Sequence, residues 1–162
     1  MANKITACLW FDGKAEEAAK FYTSLFPNSR IDKINRSPAD TPSGPAGMVL
    51  TVDFTVAGQP FIGLDGGPDF KFNEAVSLVI NCDTQAEIDY YWEKLGQGGD
   101  PTAQVCGWLK DKYGLSWQVV PRMMGELMGD SDPAKASRVM EAMLKMKKLD
   151  IAVLKAAAGG NT

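Results

Sequence analysis

Few side chains in this sequence have the type and setting for chemistry: Asp53, Cys106, Ser116 and Gln118. Asp53 lies in an alternating stretch, with Leu50, Val52, Phe54 and Val56 on one side and Thr51, Asp53 and Thr55 on the other. A carboxylate set in an apolar cleft has its pKa raised and can act as a general base. On a solvated strand it is an ordinary surface acid. Asp53 is therefore the one candidate base, and the catalytic residues are otherwise unknown. Cys106 has no imidazole to activate it, because the chain contains no histidine. That also removes the usual proton shuttle and the commonest metal ligand. A structural thiol is the expectation. The three cysteines, Cys8, Cys82 and Cys106, are odd in number and far apart, so neither a disulfide framework nor close ligand spacing arises.

The elements that must position these residues come as a repeat. Asp12-Gly13-Lys14-Ala15-Glu16 with Phe21 is echoed by Asp83-Thr84-Gln85-Ala86-Glu87 with Trp92, at an offset of 71. Gly58-Gln59-Pro60-Phe61 is echoed by Gly114-Leu115-Ser116-Trp117 at an offset of 56, so the first copy carries 15 extra residues between its echoed parts. The loop from Ser37 to Gly47, rich in Pro, Gly and Ser, is that insertion. Each copy reads as a strand, a helix, then strands, and two copies of one unit constrain the fold strongly. Thr84 and Glu87 form a capping box, and Asp12 and Asp83 are expected to cap the two helices. A strand is expected over 102–109. After Pro121 the pattern is helical, opened by Asp132-Pro133. Six methionines of this part read as core or subunit contact rather than a cofactor site.

The predicted fold is α+β: tandem βαβββ modules forming a curved mixed sheet, with extra C-terminal helices. Residues 1–162 form a single domain, with a first module at 4–68, a second at 74–121 and a helical extension at 122–160. A net charge of −3 with interspersed signs gives no footprint for nucleic acid or an anionic membrane. No apolar run spans a bilayer and no secretory segment opens the chain, so a cytoplasmic protein is expected.

The wording of several segments resembles a known family. Cys8-Leu9-Trp10-Phe11-Asp12, Asp65-Gly66-Gly67-Pro68, Cys106-Gly107-Trp108-Leu109-Lys110-Asp111 and Gly114-Leu115-Ser116-Trp117-Gln118 are similar to PhnB-like, 3-demethylubiquinone-9 3-methyltransferase-type domains. These belong to the vicinal oxygen chelate (glyoxalase/bleomycin resistance/dioxygenase) superfamily, and the likeness runs on into 143–150. In metal-dependent relatives four positions hold a divalent ion, and the resemblance places them at Ile5, Val76, Ile62 and Gln118. Ser77 is the neighbour should the register differ by one. Aliphatic side chains offer no lone pairs, so no metal and no cofactor are expected. The methyltransferase label is not supported by the residues, since Asp12-Gly13-Lys14 lacks the glycine-rich turn of a doubly wound nucleotide fold.

What remains is an apolar cradle with a few polar points: Ile5, Ala7, Leu9, Ile62, Leu64, Val76 and Leu78, with Thr51, Asp53, Ser116 and Gln118. Cys8 is expected to point away from it by strand alternation. Such a surface suits a small organic ligand, and equally suits packing or a subunit contact. The expected function is metal-independent small-molecule binding. The alternative is an enzyme on a small oxygenated metabolite, an isomerase or lyase with Asp53 as base and Gln118 orienting a carbonyl. Relatives commonly cover open sheets by pairing, so a homodimer is expected, with exchanged modules as one form of it.

Overall fold

The computed structural model describes residues 4–160. It divides between Phe72 and Asn73 into two compact units. In the first, β1 (Ala7–Phe11), α1 (Ala15–Leu25), β2 (Arg30–Arg36), β3 (Val49–Val56) and β4 (Gln59–Asp65) follow one another. The sheet order is β1-β4-β3-β2, with β1 parallel to β4 and the other pairs antiparallel. The expected insertion is the loop joining β2 to β3. β3 turns into β4 through Ala57 and Gly58, both at positive φ (48° and 81°), the geometry that closes a two-residue hairpin.

α1 lies close on this sheet because its buried stripe is small: Ala15, Ala18 and Ala19, with Tyr22, are sealed against Val52, Phe54 and Phe61. A Cβ at Gly63 would stand 3.3 Å from that of Ala15, so a side chain there would push the helix away. The helix start is held from a distance. Its cap position, Lys14, makes no side-chain capping bond among the described residues. Instead Asp65, buried at the end of β4, accepts the Ala15 amide at 2.8 Å. Asp12 is exposed and does not cap, contrary to expectation. Trp10 donates its indole N–H to the Gly67 carbonyl at 2.8 Å, and its ring meets Phe70 edge-on.

The second unit contains β5 (Ser77–Cys82), α2 (Gln85–Gly96), β6 (Trp108–Lys110), β7 (Ser116–Pro121), α3 (Met124–Met128), α4 (Pro133–Leu144) and α5 (Ile151–Gly159). The sheet order is β5-β7-β6, with β5 parallel to β7. The fold class is the expected one, a mixed α+β chain with C-terminal helices, with sheets of four and three strands. The expected strand over 102–109 shrinks to β6. Asp100 accepts the amide and hydroxyl of Thr102, and Pro101 opens a 3-10 turn over Pro101–Ala103, which breaks the ladder. α2 begins with the expected capping box: the Glu87 amide donates to Thr84, and Glu87 accepts the Asp83 amide. The Asp83 side chain pairs with Arg122 instead of capping.

The C-terminal helices build their own core from Val139, Leu149, Leu154 and Ala158, against which Met124, Met128, Met143 and Met146 pack. Each long helix of this segment starts with an aspartate: Asp132 accepts the Ala134 amide and Asp150 those of Ala152 and Val153. Among the described residues no helix is long and apolar enough to cross a membrane.

Burial pushes the Asp65 carboxyl above the usual aspartate range, against the pull of the Ala15 and Lys14 amides. A carboxyl that holds its proton more tightly when folded adds stability fully present below the ordinary value, lost as the pH rises through the folded value. Urea unfolding across that window should show wild type gaining on Asp65→Asn as the pH falls. At neutral pH, Asp65→Ala should cost about 1–2 kcal/mol, as loss of a helix cap does.

Candidate functional site

The pairing of the strands decides which side chains share a face. In the first unit Cys8 stands opposite Ile62, Trp10 opposite Leu64, and on the next strand Asp53 opposite Ile62 and Thr51 opposite Leu64. These six share the face away from α1. Ala7 and Leu9 pair with Phe61 and Gly63, on the helix side, and Leu9 is core. The expectation that put Ala7 and Leu9 with Ile62 and Leu64, and turned Cys8 away, is corrected by one residue of register. Ile5 precedes β1 and is exposed. Asp53 is half-buried, lies across from Lys33 on β2, and receives the Asn35 amide at a long 3.5 Å.

The second unit divides in the same way. Leu78 pairs with Trp117, which pairs on its other side with Leu109, on the side where α2 packs with Ile88 and Leu95. Ser77 and Lys110 flank Ser116, and Val79 and Trp108 flank Gln118, on the opposite face. Leu78 therefore belongs to the core side, not with Ser116 and Gln118 as expected. Val76 precedes β5 and is exposed. Gln118 donates to the Ser77 hydroxyl at 2.9 Å, so part of its amide is already used.

A cavity of about 490 Å³ opens beside β6, and Ala103, Val105, Cys106, Trp108 and Leu109 give it apolar walls. Its polar points are Ser116, Lys110 and Glu74. Lys110 and Glu74 form an ion pair. Ser116 is buried, and its hydroxyl has no hydrogen-bond partner among the described residues. A hydroxyl withdrawn from water and left unbonded is costly and calls for a reason. Of the residues singled out in the sequence, Cys106 and Ser116 line this cavity, while Asp53 and Gln118 do not. Lys110 and Glu74 were missed, because the tripeptide Trp108-Leu109-Lys110 carries no periodic signal and Glu74 sits in a turn.

The hairpin that aligns Lys110 with Ser116 hangs on Asp111. One of its oxygens accepts the Tyr113 and Leu115 amides at 2.8 and 3.1 Å, and the other accepts the Trp117 indole at 2.8 Å. The cysteines give no sign of a reactive thiol. All three are free, and burial pushes the Cys82 thiol up to about 12, with Glu87 and Asp83 adding to the effect.

A divalent ion does not fit the positions where metal-dependent relatives would hold one. Ile5 and Ile62 in one unit, and Val76 and Gln118 in the other, offer a single amide as donor. Among the described residues no three of His, Cys, Asp and Glu gather closely enough to bind an ion.

A sequence model of the family named 3-demethylubiquinone-9 3-methyltransferase matches residues 3–120. The chain belongs to that family. A solved structure from Bacillus cereus, described as a candidate 3-demethylubiquinone-9 3-methyltransferase, PhnB protein, is 43% identical. The match covers 74% of this chain and 99% of that one, with a TM-score of 0.64. Protein PA1353 from Pseudomonas aeruginosa shares the fold at 20% identity, over 73% of this chain and 96% of its own, with a TM-score of 0.58. No curated protein matches. The family match ends at residue 120, so α3, α4 and α5 lie beyond it. The fold is the mixed α+β one shared with the Bacillus cereus and Pseudomonas aeruginosa structures, and the methyltransferase in the family's name is only a label. Neither sheet is a doubly wound parallel one, and each helix-opening turn lacks a glycine-rich cradle.

Replacing Asp111 by alanine strands three donors, two of them buried, and should cost about 2–4 kcal/mol in chemical denaturation.

Proposed function

We propose that this protein binds a small, mostly apolar organic molecule without a metal, in the cavity beside β6. One observation carries the reading: an apolar cleft of ligand size, about 490 Å³, with the unbonded hydroxyl of Ser116 in its wall. An apolar body would fill the space between Trp108 and the aliphatic wall, and one polar group would meet the hydroxyl. The fold tolerates this use because the open sheet face presents side chains of β6 and β7 together. Free thiols in all three cysteines are consistent with a cytoplasmic setting.

A homodimer belongs to the same proposal. Val76 and Val79 are exposed on or beside β5, an edge strand, and Ile5 is exposed next to β1, the edge of the other sheet. Exposed apolar edges of this kind are normally covered.

Titration calorimetry with naphthalenemethanol, a neutral aromatic alcohol, should show one site per chain in wild type. Ala103→Phe, which fills the cleft, should abolish it. Asp53→Asn should leave binding intact, whereas an Asp53-dependent enzyme would lose turnover. Native mass spectrometry should give twice the chain mass. A stoichiometric transition metal in that spectrum would overturn the reading.

A further inference from the structure

Lys110 is the cation of the cavity wall, and its cross-strand partner is Ser116. Directly paired residues of an antiparallel ladder carry their side chains on one face, with Cβ atoms about 5 Å apart. The Lys110 stem is three-quarters buried, with a side-chain exposure of 24%, while Glu74, which meets its ammonium, is 62% exposed. Glu74 rides on the turn before β5, outside any strand. The pair is therefore asymmetric: a cation set in the wall, and a carboxylate brought to it from a solvated turn. A pair whose carboxylate stands largely in water holds weakly.

Resting on the binding reading above, we propose that the ligand is an apolar monocarboxylate whose carboxylate displaces Glu74 from Lys110 and accepts a hydrogen bond from Ser116. Glu74 occupies the place of the ligand anion when the cavity is empty. The Ser116 hydroxyl is sealed from water, so an incoming group reaches it only when a neighbour moves. Lys110 is the long, flexible side chain beside it, and leaving Glu74 frees it to swing. A carboxylate then satisfies two groups with its two oxygens, the ammonium and the orphaned hydroxyl, whereas Glu74 satisfies one. An amine ligand would face Lys110 with like charge. A neutral ligand leaves the Lys110–Glu74 pair in place and gains nothing from Lys110.

The test compares naphthoate with naphthalenemethanol, equal in ring and different in charge, by calorimetry on the full chain. The Trp108 indole resonance reports where each binds. Naphthoate should bind wild type about tenfold more tightly than the alcohol, the worth of one charge-assisted bond. Lys110→Met should erase that preference while keeping alcohol binding, which also shows that the variant folds. Glu74→Gln, an exposed change, should tighten naphthoate about threefold and leave the alcohol unchanged. Alcohol binding as tight as naphthoate in wild type overturns the carboxylate assignment and leaves the cavity reading standing. Failure of both probes to shift Trp108 overturns the cavity reading and the assignment with it.

Discussion

The buried carboxylate of Asp111 is the constraint on which the candidate site depends. It organises the turn by gathering two amides and the Trp117 indole around one anion. Because that turn fixes the hairpin, it also fixes that Lys110 faces Ser116 and Trp108 faces Gln118. The same anion anchors Trp117 into the side packed by α2, so the core and the cavity wall share one fastening. A three-residue strand such as β6 has too few ladder bonds to hold its own register. Charge-assisted bonds from a buried aspartate supply what length does not.

The first unit solves a related problem with Asp65. There the anion closes the far end of β4 onto the start of α1, 50 residues earlier in the chain. The helix needs such help because its entry, Asp12-Gly13-Lys14, offers no side-chain cap of its own among the described residues. The second helix carries its own capping box and needs none. Two copies of one ancestral-looking unit thus fix their helices by different means, one local and one long-range.

Element type and order were largely readable in the sequence, because alternation and capping are local signals. The hairpin at Ala57-Gly58, the capping box at Thr84 and the helix opened by Asp132-Pro133 all lie where local chemistry puts them. What could not be read was register between strands distant in sequence. Ala7 and Leu9 looked like neighbours of Ile62 and Leu64, since both sets alternate well. Only the parallel pairing of β1 with β4, which aligns Cys8 with Ile62, shows that they occupy opposite faces. The same slip displaced Leu78. Lys110 and Glu74 escaped notice for another reason: an ion pair across a turn leaves no periodic trace. Ser116 was found, yet its importance lies in a missing bond, which no sequence displays.

The backbone N–H groups of Cys106 and Gly107 donate to the carbonyls of Met146 and Lys147, each at 2.8 Å. Cys106 takes a left-handed φ of 51° at this point, and a Cβ on Gly107 would come within 3.0 Å of the Leu149 side chain. On the other flank Gln85 of α2 bonds both the Leu149 carbonyl and the Ile151 amide. The segment that the family match does not reach is therefore stitched into the rim of the cleft. Substitutions in this appendage thus reach the wall of the cleft through the backbone of Cys106 and Gly107, without altering any strand.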